Sequence, residues 1–78
     1  MSYTSRVTSP ATLGIAVQQA RMAAGLTQRE LAERLGVSQR YVWELESGKE
    51  SLVLTRLFRA LRETGSQMSI SVPEGLDD

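Results

Sequence analysis

Apolar residues recur at helical spacing along most of the chain, and glycines separate the runs. Leu13, Ala16, Val17 and Ala20 define the first stripe. Ser9-Pro10 supplies an N-cap followed by a proline at the first helical position, and Gly25 stops the run, which predicts a helix from about Pro10 to Ala24. Thr27-Gln28-Arg29-Glu30 reads as a capping box: the Thr27 hydroxyl accepts from the Glu30 amide, and the Glu30 carboxylate accepts from the Thr27 amide. A second helix is therefore expected over Gln28 to Leu35. Gly36 ends it in a left-handed turn, Val37 follows as an apolar plug, and Ser38 caps a third helix over Gln39 to Glu46. After the turn Ser47-Gly48-Lys49, the spacing of Leu54, Leu57, Phe58 and Leu61 predicts a fourth helix from about Leu54 to Thr64, closed by Gly65.

Beyond Gly65 the period changes from helical to alternating. Met68, Ile70 and Val72 alternate with Ser69 and Ser71 until Pro73, the pattern of a strand with one apolar face. A lone strand leaves its backbone groups unpaired, and no second candidate stands out in the sequence. Met68, Ile70 and Val72 are thus expected to pair across a homodimer, each strand covering the other copy's apolar face. The organisation expected is an arm over 1–9, a helical domain over 10–65, a dimerisation strand over 66–73 and an acidic tail over 74–78.

With 78 residues, 41% of them hydrophobic, the chain has material for one small core and no apolar run of the ~20 residues needed to span a bilayer. The start of the chain is polar and lacks the features of a secretory signal, so a cytoplasmic location without membrane association is expected. There is no cysteine and no histidine, which removes disulfides, thiolate metal sites, the usual general base and the commonest metal ligand. The carboxylates do not converge, since Glu44 and Glu46 diverge on one helix and Glu30 is a cap; no catalytic residue, metal or cofactor is implied. Net charge is zero, but its distribution is uneven. Eight basic residues face five acidic ones between Arg21 and Arg62, whereas the last sixteen positions carry acid alone. The body of the chain is mildly basic and able to face phosphate.

Two short helices joined by Gly36-Val37-Ser38, with Leu31, Ala32, Leu35, Val37, Val42 and Leu45 directed inward, meet the requirements of a helix-turn-helix over 28–47. Ala32 is small enough for close approach of the next helix. Gln39, Arg40, Trp43, Glu44 and Ser47 then project from the outer face of the third helix, which has the width to enter the major groove of duplex DNA. Arg40 suits bidentate recognition of guanine O6 and N7, and Gln39 suits adenine N6 and N7, each with ~1–3 kcal/mol of discrimination. Gln28 lies at a helix amino terminus, where free amides and the dipole favour phosphate. Glu44 accepts from cytosine N4 or pairs with Arg40 one turn away. Lys49 is a candidate phosphate contact, and Arg56 and Arg59 are either further phosphate contacts or a solvated basic face.

Four blocks in order, Gly25-Leu26-Thr27-Gln28, Glu30-Leu31-Ala32, Gly36-Val37-Ser38-Gln39 and Glu46-Ser47-Gly48-Lys49, resemble the Xre/Cro (lambda-repressor-like) helix-turn-helix family over residues ~13–64. The resemblance implies an all-α domain of four to five helices whose operator is double-stranded and palindromic. It implies that Gln28 binds phosphate, that Gln39, Arg40 and Glu44 reach base edges, that Ser38 caps the recognition helix beside the backbone, and that Arg21 and Glu46 form a largely buried ion pair. Trp43 departs from the small or polar residue usual in the family. It meets either a thymine methyl or sugar-phosphate edge, or a surface of its own or a partner chain.

The approach to the first helix and the stretch from Phe58 to Val72, with its Met68-Ser69-Ile70 strand, further resemble HipB-type antitoxins. That resemblance implies a repressor of its own toxin–antitoxin promoter, dimeric through its carboxyl-terminal strands, with a HipA-like kinase toxin as partner. A solitary Xre-family regulator without a toxin shares the same central motif.

Overall fold

A computed structural model describes residues 2–74 of the chain. The order is β1 (Ser2–Val7), α1 (Pro10–Ala23), α2 (Gln28–Leu35), α3 (Gln39–Glu46), α4 (Leu52–Glu63) and β2 (Met68–Pro73). The acidic tail expected over 74–78 lies, beyond Glu74, outside the described residues.

Local hydrogen-bond chemistry explains the helix ends. At α1 the Ser9 hydroxyl accepts from the Thr12 amide at 3.2 Å while the Thr12 hydroxyl accepts from the Ser9 amide at 3.0 Å, and Pro10 takes the first helical position. At α2 the reciprocal Thr27 and Glu30 bonds close at 3.0 and 2.9 Å. Gly36, at φ 72°, ends α2 in the left-handed region, and the Ser38 hydroxyl accepts from the Tyr41 amide to start α3. α4 begins at Leu52, two residues before the apolar spacing suggested, because Ser51 caps it by accepting from the Leu54 amide.

The β-structure departs from the sequence reading. β2 has a partner in its own chain: β1 runs antiparallel to it, pairing Tyr3 with Val72, Ser5 with Ile70 and Val7 with Met68. The stretch expected to be an arm is a strand. The positions opposite Val72, Ile70 and Met68, namely Tyr3, Ser5 and Val7, alternate too weakly to stand out, because Ser5 breaks the apolar series. Non-local pairing with β2, sixty-odd residues away, supplies the backbone bonds that the local pattern does not specify.

This sheet packs on α1, and its apolar face completes the core. Val7, Ala16 and Phe58 form the buried centre, with Leu13, Leu54, Leu61, Met68 and Ile70 packed around them. Val72 is also fully buried. The side chains expected to meet across a dimer thus pack within the chain, since the antiparallel register turns Met68, Ile70 and Val72 to the face that lies on α1. On its other side α1 packs on α3, which in turn packs on α2. There Ala32 and Val42 are buried and Leu31 and Leu45 partly so, but Leu35 and Val37 remain 55% and 37% exposed. Both flank the left-handed turn at Gly36, and among the described residues no element buries them.

Candidate DNA-reading surface

Three helices meet at a buried ion pair. The Arg21 guanidinium, near the end of α1, donates to both carboxylate oxygens of Glu46 at the end of α3, from Nε at 2.6 Å and from Nη2 at 3.0 Å. A third bond, from Nη1 to the Leu26 carbonyl at 2.7 Å, holds the α1–α2 turn. The two side chains are only 11% and 3% exposed. Burial pushes the Glu46 carboxyl upward, but the bonds from Arg21 and then Gln28 outweigh it and hold its pKa below the ordinary value. The bond to Glu46 raises Arg21 further.

Gln28 is attached to this pair, its Nε2 donating to Glu46 Oε1 at 3.0 Å. One amide proton is therefore committed inside the protein, and a second donor remains on the same nitrogen. The ion pair and the residue expected to meet phosphate are mechanically one unit. Nothing in the local spacing signalled that bond, because it joins helices separated by a turn.

The outer face of α3 holds Gln39, Arg40 and Trp43, with the C-cap Ser47 beyond them, all exposed. Gln28, Gln39, Arg40 and Trp43 line one shallow concavity, and Gln18, Gln28, Trp43, Glu46 and Ser47 line a second beside it. Gln18, on α1, was not singled out by its sequence; only the crossing of α1 over α3 brings it to this rim. Ser38 spends its acceptor on the Tyr41 amide, leaving its hydroxyl proton to donate.

Glu44 lies between two cations. Its Oε2 accepts from Lys49 Nζ at 3.2 Å and from Arg40 Nε at 3.3 Å. Those two bonds, Lys49 first, hold its carboxyl below the usual range. Arg40 remains 81% exposed along its side chain, so the contact to Glu44 commits one of its five N–H donors and leaves the planar fork available. Arg56 and Arg59 are exposed on α4, away from both concavities.

Among the described residues there is no cluster of three or more histidine, cysteine, aspartate or glutamate side chains able to hold a metal, and no helix long and apolar enough to cross a membrane. The geometry is that of a polar, donor-rich helix presented on a rigid base, the arrangement of a helix-turn-helix DNA-binding domain. The chain belongs to the helix-turn-helix family, in its Xre-like branch, whose match covers residues 17–70. It is 32% identical over 68 residues to an uncharacterised HTH-type transcriptional regulator, y4mF, of Sinorhizobium fredii, covering 87% of this chain and 90% of that protein. It is 30% identical over 70 residues to the antitoxin HipB of Escherichia coli, covering 90% of this chain and 78% of that one. No solved structure gives a significant match.

Proposed function

We propose that the chain is a sequence-specific transcriptional repressor of the HipB antitoxin type, which occupies the promoter of its own toxin–antitoxin operon and binds a HipA-like kinase toxin. The observation that carries the DNA-reading part is the face of α3, where Gln39 and Arg40 project at the amino end of a helix anchored from behind by Glu46. In this reading Gln28, the Ser38 hydroxyl and Lys49 bind phosphate and set docking register, while Arg40 and Gln39 read guanine and adenine edges. Glu44 holds Arg40 and Lys49 until DNA arrives, and exchanges one of them for a cytosine amino group or gives both to the nucleic acid.

The likeness to the antitoxin HipB over most of both chains supports the finer part. The similar likeness to an HTH-type transcriptional regulator supports gene regulation alone, and the second reading is a solitary repressor with no toxin. Affinity capture of the tagged protein from its native host, with sequencing of the DNA that accompanies it, separates the two. A stoichiometric kinase-like protein together with this gene's promoter supports the antitoxin; specific DNA with no protein partner supports the solitary repressor.

For Arg40→Ala, binding to a selected half-site is expected to lose ~1–3 kcal/mol of base preference at one position. A competition assay across all four bases at each position reads this directly. Equal weakening on every sequence would assign Arg40 to phosphate instead.

A palindromic operator calls for two copies with recognition helices about one DNA turn, ~34 Å, apart. We place the contact between copies at the open edge of the two-stranded sheet. Met68, Ile70 and Val72 are used in the core, and a two-stranded sheet has both of its strands at an edge, where a second copy can extend it. Sedimentation of the full chain at micromolar concentration is expected to give twice the monomer mass. A monomer that still binds a palindromic site with the affinity of a half-site would remove the dimer.

A further inference from the structure

Trp43 is the chain's single tryptophan, and it stands 55% exposed on the second turn of α3. Everything that shares its two concavities is polar: Gln28, Gln39 and Arg40 on one side, Gln18, Glu46 and Ser47 on the other. Among the described residues, no hydrogen bond holds its indole. The core cluster, centred on Val7, Ala16 and Phe58, includes no part of it. An indole is the largest apolar surface a side chain can present, and here it is placed in the row of residues that faces the groove rather than in the interior.

The major groove offers an apolar side chain very little to match. Base edges there are donors and acceptors, with a single kind of apolar group, the C5 methyl of thymine. Gln39 and Arg40 are the indole's neighbours one turn earlier on the same helix, and one turn advances ~5.4 Å, between one and two base-pair steps. A C5 methyl at that offset from the base met by Arg40 reaches the shallow concavity lined by Trp43, Gln39 and Arg40, lies against the indole and takes apolar surface of both partners out of water.

We infer that Trp43 selects a pyrimidine bearing a C5 methyl group, one to two base pairs from the Arg40 contact in each half-site. The inference rests on the DNA-reading assignment above. The methyl is the recognised chemistry, and it occurs on thymine and on 5-methylcytosine in the same groove position. At a cytosine in that position, the same pocket makes binding sensitive to cytosine methylation.

The test uses the full chain and a duplex obtained by in vitro selection. Each thymine is replaced in turn by deoxyuridine, which removes the methyl alone, and binding is followed by anisotropy of the labelled duplex. One replacement per half-site is expected to weaken binding about fourfold, the equivalent of ~0.8 kcal/mol for one CH2-sized group. Trp43→Ala should bind the thymine and deoxyuridine duplexes equally, and Trp43→Leu should recover part of the difference. Circular dichroism melting checks that both variants fold. At the sensitive position, a pair of duplexes with cytosine and 5-methylcytosine then separates the two sources: a methyl effect in both pairs assigns the C5 methyl itself, and one confined to thymine narrows the ligand to that base. If the wild type shows base preferences but no thymine responds to deoxyuridine, the inference is wrong and the DNA-reading assignment stands. If it shows no base preference at all, that assignment fails. Loss of dimer mass in Trp43→Ala with an unchanged deoxyuridine response would make the indole a protein contact and overturn the inference.

Discussion

Glu46→Ala is expected to destabilise the domain by about 3–5 kcal/mol, because it strands the Arg21 guanidinium in a site that is 11% exposed. The cation would keep its bond to the Leu26 carbonyl but lose both short bonds to the carboxylate, and Gln28 would lose its acceptor. A domain of this size has a total stability on the order of 4–12 kcal/mol, so the loss is a large fraction of it. Urea denaturation measures it. A change below about 1 kcal/mol would show that the pair contributes little beyond what solvent can replace. Arg21→Met combined with Glu46→Leu should recover much of the loss, since removing both charges leaves nothing buried and unpaired.

The same carboxylate sets a pH dependence. In the folded chain the Glu46 pKa lies below its ordinary 4.5, so the folded state favours the ionised form. Its contribution is therefore complete above about pH 4.5 and is lost as pH falls through the folded value. Glu30, held down by the Thr27 backbone and side chain, and Glu44, held down by Lys49 and Arg40, act in the same direction. Acid titration of the melting temperature should show a decline that begins near pH 4.5 and is shallower in Glu46→Gln.

Gly14→Ala is the second large effect, and its sign runs against helix propensity. In an ordinary helix interior alanine would stabilise by ~1 kcal/mol. At Gly14, however, a Cβ would stand 2.5 Å from the Glu46 carbonyl oxygen and 2.6 Å from that of Leu45. Those atoms are backbone at the end of α3 and cannot swing aside as a side-chain tip would. Overpacking typically costs ~1–3 kcal/mol, occasionally more, and rigid partners place this site at the upper end. The net expectation is a loss of about 2 kcal/mol, readable as a fall in the denaturation midpoint. A variant as stable as the parent would mean that α1 can withdraw from α3 without consequence. Because Arg21 lies on the same helix, withdrawal would also stretch the bonds to Glu46 and loosen the support of α3.

Much of the helical framework was legible because its determinants are local. Ser9, Thr27 and Ser38 are caps whose partners lie three residues away, and Gly36 adopts a backbone angle that other residues avoid. Such signals act within a turn of chain and do not need the rest of the molecule. Leu35 and Val37 show the limit of that reasoning. Their apolar character and spacing predicted burial, but covering them requires an element that the fold places elsewhere.

The site divides in the same way. That Gln39, Arg40 and Trp43 share one face of a helix follows from 3.6-residue periodicity alone. The bond from Gln28 to Glu46, the arrival of Gln18 at the rim and the close passage of Gly14 over α3 are relations between helices, set by how α1 crosses the other two.

By itself the amino-acid sequence determined four helices, the caps of the first three and the polar face of the third, since each depends on residues within a few positions of one another, and its ordered motif blocks carried the helix-turn-helix family. Only the tertiary structure decided that Ser2–Val7 pairs with Met68–Pro73 and draws Met68, Ile70 and Val72 into the chain's own core. A strand's partner is chosen by whatever apolar face and open backbone edge the rest of the fold brings alongside it, and that choice is made across the length of the chain.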